Sequence, residues 1–134
     1  MRQKKSGYFA FLALLLSIAW ALPACSASGP GDQDPRDVKV ELTTDPGQAQ
    51  AGKETMLLAD VTGLLEEKKA VVQFEIRRAD NKSLPELVEQ TSYEGNGRFS
   101  AAYTFKERTK YDVYIHIYKG ELHVTKKRPV DVGS

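Results

Sequence analysis

Residues 111–118, YDVYIHIY, decide the fold, because apolar and polar side chains alternate along this stretch without interruption. Val113, Ile115 and Ile117 would share one face of an extended strand, and the polar and aromatic side chains between them would share the other. A helix would need apolar residues at a period of about 3.6, which this stretch lacks. It therefore predicts a half-buried β-strand.

Seven further runs of strand character are separated by turn residues along the chain, at 38–43, 54–62, 70–78, 87–94, 98–105, 121–125 and 129–132. Eight short strands at this spacing predict an all-β, immunoglobulin-like antiparallel β-sandwich of about seven to eight strands. The apolar faces of these runs predict a core built from Val72, Phe74, Ile76, Phe99, Tyr103, Phe105, Val113, Ile115 and Ile117.

The first 25 residues have a different character. A basic start, an apolar run at 8–20 and Leu22-Pro23-Ala24-Cys25 resemble the signal peptide and lipobox of bacterial lipoproteins. We therefore predict a helical signal peptide at 1–24, cleavage before Cys25 and a diacylglycerol on its thiol. The alternatives are an ordinary secretory signal and a spanning anchor, but the run falls short of the roughly 20 apolar residues that a spanning helix needs.

The predicted mature chain divides into two parts. Residues 25–36 are small, polar and rich in Gly and Pro, which predicts a flexible lipidated tether. Residues 37–134 would form the sandwich domain. Without residues 1–24, 16 Lys and Arg stand against 18 Asp and Glu, so charge gives no reason to expect a nucleic-acid partner.

The two histidines of the chain flank Lys119-Gly120. A two-residue loop at Lys119-Gly120, or a four-residue loop at 118–121, would keep the apolar faces matched and place His116 directly opposite His123. Two imidazoles at that spacing, with Glu121 one step along, could hold copper or zinc. The alternative is a solvated cross-strand pair.

A second hairpin surrounds Asn96-Gly97. A three-residue loop with Gly97 in the left-handed region would pair Glu94 with Arg98 and Tyr93 with Phe99. Near the C-terminus, three consecutive basic residues at 126–128 precede a proline, which is typical of a charged edge strand, or of a contact with anionic lipid headgroups.

Three stretches in this order after a lipobox, VVQFEIRR, GNGRFSAAYTF and YDVYIHIYKGELHVTKK, resemble the YtkA-like domain. That family is an immunoglobulin-like sandwich of Gram-positive lipoproteins, related to the FixH group. The resemblance covers residues from about 38 to 132 and implies a link to copper and oxidase assembly. Family members often have His-Val-Met-Pro where this chain has His123-Val124-Thr125-Lys126, so a methionine that would favour copper is missing.

Two functions follow as hypotheses. The first is a non-enzymatic lipoprotein, anchored through Cys25 on the extracytoplasmic face of the cell membrane of a Gram-positive bacterium, whose sandwich binds an unknown envelope protein without a cofactor. The second is a lipoprotein that binds or delivers copper through His116 and His123. We find no catalytic motif in the sequence, which predicts that the protein is not an enzyme.

Overall fold

The structure is a computed structural model and describes residues 33–133, so the predicted signal peptide and Cys25 lie outside the described residues. Eight strands form two four-stranded antiparallel sheets. The first sheet has the order β1 (Lys39–Asp45), β2 (Glu54–Thr62), β6 (Arg98–Thr104), β5 (Ser92–Gly95). The second has the order β4 (Glu86–Val88), β3 (Val71–Arg78), β7 (Lys110–Lys119), β8 (Leu122–Asp131).

This order confirms the predicted all-β sandwich. The first sheet follows the A-B-E-D order of immunoglobulin-like folds, and the second follows C-F-G with one strand added beside C. Two details differ from the prediction. The run at 87–94 is divided between β4 and β5, which belong to different sheets, and the two C-terminal runs form the single strand β8. A short 3₁₀ helix, Glu67–Lys69, precedes β3.

The core lies between the sheets and contains the inward-facing residues of both. Eight of the nine predicted core residues are buried, while Tyr103 is half-buried. The Tyr103 ring meets Phe105 edge to face at a centroid distance of 4.9 Å, and its hydroxyl lies 3.2 Å from a Glu86 carboxylate oxygen. A tyrosine at the margin of a core keeps its polar end where it can find a partner.

The β5–β6 hairpin combines a two-residue turn with a β-bulge. Asn96 and Gly97 both have positive φ, at 50° and 76°, which is the requirement of a two-residue type I′ turn. Gly95, not Glu94, therefore pairs with Arg98, and the predicted three-residue loop is wrong. A bulge between Tyr93 and Gly95 then restores the predicted pairing of Tyr93 with Phe99.

The β7–β8 hairpin turns one residue later than predicted. Gly120 and Glu121 form the loop, and Gly120 has a φ of 58°, as the first position of a type II′ turn requires. The shift moves every cross-strand pair by two residues but keeps each side chain on its predicted face. His116 therefore lies opposite Thr125, and the predicted direct pairing of His116 with His123 is wrong.

Strand β8 is an edge strand, as the basic run at 126–128 predicted. Arg128 donates to the Val40 carbonyl from Nε and Nη2, at 3.0 and 2.7 Å, and so bridges the edges of the two sheets. Lys127 pairs with Asp112 at 3.4 Å. The Arg128 side chain occupies a backbone acceptor of the edge strand β1, and the basic run places charged side chains along β8. Both features hinder the pairing of another strand with these edges.

Candidate functional site

The outer surface of the second sheet carries a continuous set of polar and aromatic side chains, here called the histidine face. It comprises ten polar and aromatic residues on the outer side of β3, β7 and β8: Gln73, Glu75, Arg77, Asp112, Tyr114, His116, Tyr118, His123, Thr125 and Lys127.

His116 lies at the centre of the histidine face and is held from both sides. Its Nδ1 lies 3.0 Å from the Thr125 hydroxyl, and its Nε2 lies 3.0 Å from a carboxylate oxygen of Glu75. The side chains of His116 and Glu75 are each only 17% exposed. Both ring nitrogens are thus engaged by neighbours on adjacent strands.

Glu75 is the anionic member of this cluster. An ion pair with Arg77, opposed by partial burial and assisted by His116, lowers the pKa of the Glu75 carboxyl below its usual value. Arg77 also lies over the ring of Tyr114, with its guanidinium carbon 4.8 Å from the ring centroid. At neutral pH Glu75 is therefore a carboxylate that only accepts hydrogen bonds.

That charge dictates the proton positions around His116. Nε2 of His116 carries the hydrogen, which it donates to Glu75. In the neutral ring, Nδ1 then accepts from the Thr125 hydroxyl, whose oxygen can in turn accept from Nε2 of His123 at 3.3 Å. The Thr125 hydroxyl therefore lies within hydrogen-bond distance of both rings.

His123 extends the cluster toward the hairpin. Its ring stacks on Tyr118, which lies opposite it on β7, at a centroid distance of 4.3 Å and an interplanar angle of 16°. The centroids of His116 and His123 are 5.8 Å apart. The two histidines thus share a face, as predicted, but meet diagonally through Thr125 and Tyr118.

The structure places the predicted metal ligands less favourably than the predicted register did. Glu121 is the second residue of the exposed turn. Within residues 33–133 no three His, Cys, Asp or Glu side chains are grouped so that they could hold a metal. A metal at His116 would also have to displace Thr125 or Glu75 from a ring nitrogen. The metal hypothesis stays a prediction.

Sequence reasoning missed Glu75 and Thr125 as the partners of His116. Glu75 belongs to β3, which pairs with β7 although the strands are far apart in the chain, so no local loop sets that register. Because of the two-residue shift, Thr125 lies opposite His116, at the position where the predicted register placed His123.

Comparison with known proteins gives no further support. No protein-family model matches this chain, and no curated protein matches it significantly. The resemblance to YtkA-like domains therefore stays a prediction. Within residues 33–133, no helix is both long enough and apolar enough to cross a bilayer.

Proposed function

We propose that the protein is a membrane-anchored extracytoplasmic lipoprotein whose YtkA-like β-sandwich is a non-enzymatic interaction module for an envelope protein. The observation that carries this proposal is the histidine face. It presents tyrosine, histidine and arginine side chains on one side of a hydrogen-bonded sheet, and tyrosine and arginine are enriched at protein interfaces.

Several side chains of the histidine face hold one another in place. Stacking holds Tyr118 on His123, two hydrogen bonds hold His116, and an ion pair holds Arg77. Binding of a partner therefore costs less side-chain entropy here than on a surface whose side chains are free to change rotamer. Such preorganisation favours binding by the face as a whole.

The proposal is tested by co-purification of the acylated protein from cross-linked cell envelopes. Tyr118→Ala should reduce the recovery of a specific partner, because an alanine at a hot spot weakens binding by about 2 kcal/mol, or roughly thirtyfold in Kd. Glu41→Ala, an exposed position on the first sheet, is the matched control. Equal recovery with both variants would contradict the proposal.

Copper binding or delivery is the second candidate, for a lipoprotein linked to envelope copper handling or oxidase assembly. The observation in its favour is the 5.8 Å separation of the His116 and His123 rings on one face. The test is titration with copper(II) and zinc. A shared site predicts that His116→Ala and His123→Ala each weaken binding as much as the double substitution does. Binding unchanged by either substitution would exclude a shared site.

A further inference from the structure

The N-terminal end of the described chain is fixed at one end of the sandwich. The Gln33 side chain donates to the Gly63 carbonyl and accepts from the Leu65 backbone N–H at 2.8 Å. Gly63 has a φ of 74°, and an added Cβ would overlap the Asp37 carbonyl oxygen. The chain therefore reaches the domain at the loop between β2 and β3, at the same end as the β5–β6 and β7–β8 hairpins.

An exposed apolar surface surrounds this point. Leu65 is 61% exposed, and Val71 and Tyr118, which pair across β3 and β7 at the same end, are 54% and 37% exposed. The ammonium group of Lys119 donates to the Leu65 carbonyl at 2.7 Å, and Lys68 is exposed in the same loop. These five residues are called the loop surface below.

The length of the chain between Cys25 and Gln33 limits how far the loop surface can lie from a membrane that holds the anchor. Gln33 lies eight positions after Cys25, so the chain between them spans at most about 28 Å when fully extended. A diacylglycerol on Cys25 would thus hold the loop surface within that distance of the lipid headgroups. Tethering at such short range raises the effective concentration of a weak contact to the millimolar range.

We propose that the loop surface rests on the membrane that carries the anchor, with Leu65 inserted among the lipid headgroups. This inference depends on the lipid anchor of the proposed function. Lys68 and Lys119 can meet lipid phosphates, while Val71 and Tyr118 border the contact. The histidine face then stands beside the membrane, where an envelope protein can reach it.

The charges near Leu65 indicate whether apolar burial or electrostatic attraction dominates the proposed membrane contact. Glu66 pairs with Lys69, Glu67 lies 3.1 Å from the Tyr93 hydroxyl, and Glu121 is exposed in the adjacent hairpin. The acidic side chains offset most of the basic charge at this end. Burial of Leu65 should therefore matter more than attraction to anionic lipid, and the contact should persist in zwitterionic vesicles.

The chain offers a matched control. Leu84 is 86% exposed and lies in the loop between β3 and β4, at the opposite end of the sandwich. Cys25 is the only cysteine, so once it is acylated an introduced cysteine is the only free thiol. Acylated Leu65→Cys and Leu84→Cys proteins can each be labelled with an environment-sensitive fluorophore and reconstituted in phosphatidylcholine vesicles that contain nitroxide-labelled lipid.

We expect a blue-shifted emission and strong nitroxide quenching at position 65, and neither at position 84. Equal or absent quenching in protein that floats with the vesicles would overturn the membrane contact and leave the anchor intact. Quenching at 84 alone would mean that the domain is inverted and would also overturn it. Protein that lacks the acyl group and does not float would overturn the anchor, and the contact with it.

Discussion

Ile115 tests the assignment of faces on which both the core and the histidine face depend. Its side chain is fully buried on β7, directly opposite Phe74 of β3. Ile115→Ala removes three carbon atoms, which at about 0.8 kcal/mol each accounts for roughly 2.4 kcal/mol of lost transfer free energy. The cavity left behind adds to this, so the free energy of unfolding should fall by about 3–4 kcal/mol.

Chemical denaturation followed by circular dichroism measures this change. Val71→Ala is the control, since Val71 lies on the outer face of β3 and is 54% exposed; it should change the free energy of unfolding by less than about 0.5 kcal/mol. If Ile115→Ala leaves the domain too unstable to measure, Ile115→Val should still cost about 0.5–1.5 kcal/mol. Similar values for Ile115→Ala and Val71→Ala would refute the assignment.

Three other features can be tested by single substitutions. Arg77 lowers the pKa of the Glu75 carboxyl below its usual 4.5, so the charged carboxylate stabilises the fold above that pH, and this stability is lost as the pH falls through the lowered pKa. Glu75→Gln should therefore flatten the pH dependence of the unfolding free energy below about pH 4.5; an unchanged slope would contradict this. Gly97 and Gly120 both have positive φ, so alanine at either position should destabilise the fold by about 1–2 kcal/mol. Gly97→Ala should destabilise it more than Gly120→Ala, because only at Gly97 would the new Cβ overlap a backbone carbonyl. Equal losses in a thermal melt would be inconsistent with that close approach. Cys25→Ala should abolish the diacylglyceryl mass on the N-terminal peptide of protein made in a bacterial host, and an unmodified N-terminus in the unsubstituted protein would exclude the anchor.

The sequence pattern predicted the sandwich because alternation of apolar and polar residues directly reports which side of a strand is buried. Val72, Phe74 and Ile76 on β3 and the three aliphatic residues of β7 all lie in the core for this reason. The same pattern cannot separate registers that differ by two residues, since both keep every side chain on its face. Only the turn chemistry decides, and Gly120 fits the first position of a type II′ turn.

The candidate site was only half predictable for the same reason. The shared face of His116 and His123 follows from alternation, whereas their partners depend on register and on strand order. Glu75 reaches His116 because β3 and β7 are neighbours, a pairing between distant parts of the chain. The division of 87–94 was likewise missed, because local alternation does not reveal that a chain changes sheets.

Site-specific photo-crosslinking in the native membrane tests the central claim that the histidine face binds an envelope protein. A photoreactive amino acid would replace Tyr118 on the histidine face, or Ala102, which is exposed on the outer side of the first sheet. We predict one discrete crosslinked protein from position 118 and none from position 102. The same crosslinked protein from both positions, or none from position 118 in correctly anchored protein, would contradict the claim.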